Sequence, residues 1–129
     1  MAEIAQTCLQ AAEADMMTFP EIVRILSAEG FESYMVDFRR NAATYYTADG
    51  DSIVVPMEDD PTPIAPALDT MAVQAAIKEA QQLVPGYRYL GFCSKVRAAG
   101  CAGYLVSFSG RRAVYYGRTA ELHLEHFPR

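Results

Sequence analysis

Residues 30–46, GFESYMVDFRRNAATYY, and residues 100–116, GCAGYLVSFSGRRAVYY, are the two stretches that decide the fold of this chain. Each begins with a glycine that can end a helix, and each then alternates apolar and polar residues as a β-strand does. A turn follows, and the next strand carries a tyrosine pair, Tyr45-Tyr46 in one stretch and Tyr115-Tyr116 in the other. The same strand–turn–strand pattern therefore occurs twice, seventy residues apart.

The match between the two stretches extends in both directions. With an offset of 70, residues 19–55 align with residues 89–125 without a gap, and eight aligned pairs are identical. Chance similarity would preserve periodicity, but it would not place the helix-ending glycines and the tyrosine pairs at the same positions. We interpret the chain as an internal duplication, with repeat one at 1–57, a linker at 58–69 and repeat two at 70–129.

Each repeat is predicted to contain two helices followed by three strands. Thr18 and Glu21 form a capping-box pair before the second helix, and Asp49-Gly50 predicts a tight hairpin turn. Three prolines and four acidic residues predict that the linker is extended and exposed. The predicted helices are 2–16, 19–29, 70–84 and 90–99, and the predicted strands are 31–39, 43–47, 52–57, 101–109, 113–117 and 120–127.

The expected fold is an α+β sandwich with one mostly antiparallel sheet of six strands and with the helices packed on one face. A single repeat of about 65 residues has a thin core and leaves an edge strand open to pairing. Joining two repeats edge to edge completes the core and removes one edge from each. Two separate three-stranded sheets are the alternative.

Composition restricts the class of protein. The 129 residues are 51% apolar, which is enough for a core without disulfides, and the three cysteines have no metal-binding spacing. We expect reduced, core-packed thiols in a cytoplasmic protein that needs no cofactor and no metal. We also expect no signal peptide and no membrane span, because no apolar run approaches about 18 residues.

Charge is distributed unevenly along the chain. The net charge of −5 argues against nucleic-acid binding by the whole molecule. Residues 1–70 carry a net −10 and residues 71–129 a net +5. The two halves should therefore attract each other, within the chain or between subunits. A basic face that binds an anionic ligand is the alternative interpretation.

The tyrosine pairs are the first candidate binding residues. Alternation along a strand directs one ring of each pair to the helix layer and the other to the helix-free side of the sheet. Tyr46 and Tyr116, together with Met35 and Leu105, should form an exposed apolar stripe there. Such a stripe suits dimerisation or a partner protein, and stacking on nucleic-acid bases is the alternative that the acidic first half disfavours.

The arginines beside equivalent hairpin turns are the second candidate group. Arg39 and Arg40 in repeat one, like Arg111 and Arg112 in repeat two, lie near equivalent hairpin turns. In a continuous sheet, related turns could gather four guanidinium groups into a contact for an anion or phosphate. Arginines that only keep the turns soluble are the alternative.

The last strand carries the most reactive-looking side chains. Alternation places Glu121, His123 and Glu125 on one face, a set that can bind a divalent metal or transfer a proton. A solvent-facing edge strand is the alternative, and we predict no metal site. Cys93 and Cys101 align with apolar residues of repeat one, so we predict that both thiols are packing residues.

Longer motifs carry a resemblance to a known family. Residues 86–119, followed by His-Leu-Glu-His-Phe-Pro at 123–128, are similar to the YbcV-like family, and Met17–Val23 and Gly30–Arg40 resemble its first half. The resemblance covers nearly the whole chain. That family has no known function, is associated with prophages and is sometimes labelled "phage envelope protein". The resemblance implies a cytoplasmic, prophage-associated accessory protein and supplies no catalytic residues.

These observations favour a non-enzymatic binding module that acts through an exposed sheet face, as a homodimer or with another protein. The alternative is a small enzyme or anion-binding protein. Its site would lie at the cleft between the repeats and would use Arg111, Arg112, His123 and Glu125.

Overall fold

The computed structural model describes residues 1–127 as four helices and six strands. The helices are α1 (Ala2–Glu13), α2 (Phe19–Glu29), α3 (Thr70–Gln82) and α4 (Tyr89–Ala98). The strands are β1 (Phe31–Asp37), β2 (Ala42–Thr47), β3 (Ser52–Pro56), β4 (Cys101–Ser107), β5 (Arg112–Gly117) and β6 (Leu122–His126). They form one antiparallel sheet in the order β3-β2-β1-β4-β5-β6. The six-stranded α+β fold is confirmed, and the alternative of two separate sheets is wrong.

Local signals in the sequence position the ends of the helices. Thr18 and Glu21 form the predicted capping box, in which each side chain accepts a hydrogen bond from the other residue's backbone N–H. Asp69 caps α3 by accepting a hydrogen bond from the N–H of Ala72. Gly30 ends α2 in the left-handed region, with φ of 103°, which a residue without a side chain adopts at little cost.

Several elements end one to three residues earlier than predicted, and in β1 and α1 the local reason is visible. The carboxylate of Asp37 accepts hydrogen bonds from the N–H groups of Arg39 and Arg40, at 3.0 and 3.2 Å. This local turn competes with strand pairing, so β1 stops at Asp37. Helix α1 stops at Glu13 instead of Met16 because Asp15 takes a left-handed conformation with φ of 58°.

The helices cover one face of the sheet and enclose the core. Helix α1 packs on β3, α2 on β1, α4 on β4 and α3 on α4. Tyr34 and Val36 of β1, with Tyr104 and Val106 of β4, point into this layer and are at most 8% exposed. The core therefore sits between the helices and the centre of the sheet, as the alternating pattern of both stretches predicts.

The two halves of the chain meet at the pairing of β1 with β4. Met35 lies directly opposite Leu105, which is the residue seventy positions later in the sequence. An approximate twofold axis perpendicular to the sheet therefore passes between them. Both halves also have a register shift at the start of their first strand, at Phe31/Ser33 and at Cys101/Gly103. The two halves therefore begin their first strand with the same kind of irregularity.

The linker contains no helix or strand, but it is anchored and not simply exposed as predicted. Arg97 of α4 donates hydrogen bonds to the carbonyl oxygens of Thr62 and Asp60, at 2.8 and 3.3 Å, and to that of Phe38 at 2.9 Å. Leu68 is buried. The Arg97 side chain thus holds the linker against one end of the sheet.

Candidate functional site

The side of the sheet opposite the helices, which we term the open face, carries a row of apolar side chains. Strand register places six residues, five apolar ones and Thr44, side by side across the whole sheet: Val54, Thr44, Met35, Leu105, Val114 and Leu124. We term these six the apolar row. Val54 is 64% exposed, Leu105 39% and Leu124 44%. The solvated face of an antiparallel sheet is usually polar, so an exposed apolar row needs a reason.

The predicted tyrosines flank the apolar row on opposite sides. Tyr46 lies beside Ser33, and Tyr116 lies beside Gly103. A side chain at Gly103 would collide with the Tyr116 hydroxyl, so glycine allows this ring to lie close to β4. Partial burial, and then the nearby Asp37 carboxylate, raise the pKa of Tyr116. Both rings are half-exposed on the open face, which is the placement that alternation predicts.

Four of the apolar residues on the open face are absent from the predicted stripe. Val54, Leu122 and Leu124 belong to β3 and β6, whose position in the sheet was not known from sequence. Val114 lies two residues before Tyr116 on β5, so the alternation that places Tyr116 on the open face also identifies Val114. Leu122 is 65% exposed and pairs with Tyr116. The alternation of β6 puts its leucines opposite His123, and that signal identifies them once β6 is known to be the outer strand.

The arginine pairs do not come together. Because β1 and β4 are antiparallel neighbours, the turn after β1 and the turn after β4 lie at opposite ends of the sheet. Arg39 and Arg40 lie at the end marked by Asp37, and Arg111 and Arg112 lie at the other end. We term these the Asp37 end and the Arg112 end. The predicted gathering of four guanidinium groups is therefore wrong, because related turns are separated by the length of the strands.

His123 and Glu125 form a close pair on the helix side of β6. His123 Nε2 lies 3.0 Å from Glu125 Oε2, and both side chains are largely buried. The imidazole ring also lies 6.4 Å from the ring of Tyr115. Strand β6 is one of the two outer strands of the sheet, whereas the two halves of the chain meet at β1 and β4. The alternative site at the cleft between the repeats is therefore not assembled from these two residues.

Glu121, the third member of the predicted set, has a different structural role. Its carboxylate accepts hydrogen bonds from the Thr119 hydroxyl and from the N–H of Leu68. These bonds hold the pKa of Glu121 below its usual range. Within residues 1–127, no three His, Cys, Asp or Glu side chains come together in a group that could hold a metal ion.

The cysteines are packed in the core. Cys8, Cys93 and Cys101 are all buried and all free thiols. Burial raises the pKa of Cys93 to about 12 and that of Cys101 to about 11. A thiol with so high a pKa is protonated at neutral pH and is a poor nucleophile, which agrees with the packing role predicted for both residues.

The comparisons with known proteins give a family and no activity. No curated protein matches the chain. Over the part of the chain that the structure describes, no helix is both long and apolar enough to cross a membrane. Residues 9–126 match the model of DUF1398, described as a protein of unknown function. Because the match spans nearly the whole chain, the protein belongs to the DUF1398 family.

Proposed function

We propose that the protein is a non-enzymatic interaction module that binds a second copy of itself through the open face. The observation that carries the proposal is the apolar row, which crosses all six strands and exposes Val54, Leu105 and Leu124. Leu122, Tyr46 and Tyr116 extend the apolar surface on either side of it. Covering such a surface removes apolar area from water, which is the main driving force for association.

The size of the open face indicates how strong the association is. Six strands about 4.8 Å apart and five residues at about 3.3 Å each give a face of roughly 500 Å². A stable interface buries about 800 Å² on each partner. We therefore expect a reversible equilibrium between monomer and dimer, and not a permanent dimer.

The wider setting of the proposal rests on the sequence. The resemblance to the YbcV-like family supports a prophage-associated accessory role. Three buried, free thiols support a reducing compartment such as the cytoplasm. The net charge of −5 supports a protein partner over a nucleic acid.

Sedimentation velocity over a range of concentrations tests the proposal. The wild-type protein should form a dimer, and Leu105→Glu should shift it to monomer because each copy would bury a carboxylate at the centre of the apolar row. Met71→Glu is the matched control. Met71 is 80% exposed on α3, in the helix layer on the other side of the molecule, so this variant should dimerise as the wild type does.

Two results would contradict the proposal. One is a wild-type protein that stays monomeric at every concentration. The other is a Leu105→Glu variant that dimerises as tightly as the wild type. Circular dichroism should show that Leu105→Glu remains folded, since Leu105 points away from the core.

A further inference from the structure

The internal symmetry of the sheet leaves two ways for the open faces of two copies to pack. Sheets that pack face to face keep their strands within about 30° of alignment, so the twofold axis of the dimer runs either along the strands or across them. With the axis along the strands, Val54 of one copy faces Leu124 of the other. With the axis across the strands, each residue of the apolar row faces its own copy. Both arrangements cover the same apolar residues, so apolar contact does not choose between them.

The charges at the two outer edges of the sheet distinguish the two arrangements. Beside β3 lie the exposed acidic residues Asp49 and Asp51 at the Arg112 end, and Glu58 and Asp59 at the Asp37 end. Beside β6, Arg112 lies on the open face at the Arg112 end. At the other end, exposed Arg118 lies in the turn before β6 and donates a hydrogen bond to the carbonyl oxygen of Ile64, while the nearby Glu121 carboxylate is bonded to Thr119 and Leu68. The sheet therefore has an acidic edge along β3 and a basic edge along β5 and β6.

We infer that the second copy docks with the twofold axis along the strands, so that the acidic edge of each copy lies over the basic edge of the other. This inference rests on the proposed function. In this arrangement Asp51 faces the region of Arg112, and Glu58 faces that of Arg118. The arrangement with the axis across the strands would instead place acid over acid and base over base, which opposes association at both edges.

The same arrangement gives the basic edge an aromatic contact. Tyr46 of one copy lies over the position of Arg112 in the other, because both belong to the row of residues nearest the Arg112 end. A guanidinium group over a tyrosine ring is a favourable pairing. Twofold symmetry repeats each of these contacts, so modest interactions at the edges act in pairs.

Charge reversal tests the inference, with the dimer Kd measured by sedimentation. Asp51→Lys should weaken the dimer about tenfold, since an exposed pair contributes up to about fivefold in affinity and each pair occurs twice. Arg112→Glu should weaken it by a similar factor. The double variant Asp51→Lys/Arg112→Glu restores opposite charges and should return the Kd to within about threefold of wild type. Lys78→Glu, an exposed charge reversal on α3, should leave the Kd unchanged.

The outcomes separate the two proposals. If Asp51→Lys tightens the dimer, the axis runs across the strands, and the docking inference is overturned while self-association stands. Two results would overturn the inference that the acidic edge lies over the basic edge. In one, the single variants leave the Kd unchanged; in the other, the double variant dimerises as weakly as either single variant. A wild-type protein that never dimerises overturns this inference together with the proposed function.

Discussion

At the scale of single residues, the two equivalent glycines Gly30 and Gly100 differ in what surrounds them. Both take positive φ, 103° and 92°. A side chain at Gly30 would meet only the end of Met1 at 3.7 Å. One at Gly100 would collide with the backbone of the linker at Ala67. Backbone conformation alone therefore favours glycine at position 30. At position 100, backbone conformation and lack of space for a side chain both favour it.

This difference predicts unequal effects of substitution by alanine. Gly30→Ala should lower the free energy of unfolding by about 1–2 kcal/mol, the cost of a left-handed conformation with a side chain. Gly100→Ala should lower it by a further 1–3 kcal/mol or so, because the linker must move. Unfolding in urea measures both values. Equal losses in the free energy of unfolding would show that the linker moves at Ala67 without an energetic cost.

At the scale of elements, Arg97 joins three parts of the chain that the sequence alone leaves separate. Its guanidinium group bonds to carbonyl oxygens of the linker and of the turn after β1, and it lies 5.6 Å from the ring centroid of Phe38. The Asp60 carboxylate is 4.0 Å away. A long proline-rich segment without secondary structure thereby obtains a fixed path along the sheet.

Removal of this side chain should loosen the linker. We expect Arg97→Ala to lower the free energy of unfolding by about 3 kcal/mol or more, because three carbonyl oxygens lose a charged donor in a buried setting. Lys95→Ala, two residues earlier in α4, is the control. Its ion pair with Glu79 is exposed, so its loss should cost no more than about 1 kcal/mol.

Urea unfolding of the two variants provides the comparison. Amide hydrogen exchange of the linker adds a second readout, since Arg97→Ala should increase exchange at Ala65, whose N–H bonds to the carbonyl oxygen of Arg97. Similar stability losses in both variants would contradict the anchoring role.

At the scale of the whole molecule, the core contains many groups that can lose a proton at high pH. Burial raises the pKa of Tyr34, Tyr45, Tyr104 and Tyr115 well above the ordinary value of a tyrosine. The pKa of Cys93 is raised to about 12 by the same cause. The hydroxyls of Tyr89 and Tyr104 lie 2.8 Å apart and bond to each other inside this cluster.

These shifts predict that the protein loses stability in alkaline solution. In the unfolded chain, cysteine releases its proton near pH 8.5 and tyrosine near about pH 10. The folded protein keeps these protons to higher pH, so the unfolded state binds fewer protons and the free energy of unfolding falls as pH rises. The stabilisation is complete below about pH 8 and decreases above about pH 9, by up to about 1.4 kcal/mol per pH unit for each group.

Urea unfolding as a function of pH measures this decrease. Tyr45→Phe removes one such group and should make the decrease less steep, while the main rise in tyrosinate absorbance, from the buried tyrosines, should coincide with unfolding. A free energy of unfolding that stays constant to about pH 11 would mean that these groups are not buried as described.

The amino-acid sequence by itself determined the elements and the pattern of the sheet. Alternation around Tyr34 and Tyr104, the capping box at Thr18 and the glycines at helix ends are local signals, so they act wherever the chain lies. The predicted duplication also led to the expectation that the two halves share one sheet, and the pairing of β1 with β4 joins them. Those signals place Tyr46 and Tyr116 on the open face before any tertiary contact is known.

Only the tertiary structure decided which residues share a surface. Strand order made β6 an outer strand, which put His123 and Glu125 away from the junction of the repeats and added Leu124 to the apolar row. Antiparallel pairing of β1 with β4 placed the turns that carry the arginines at opposite ends of the sheet. Such relations depend on contacts between distant segments, which are set by the joint packing of the core and not by local preference.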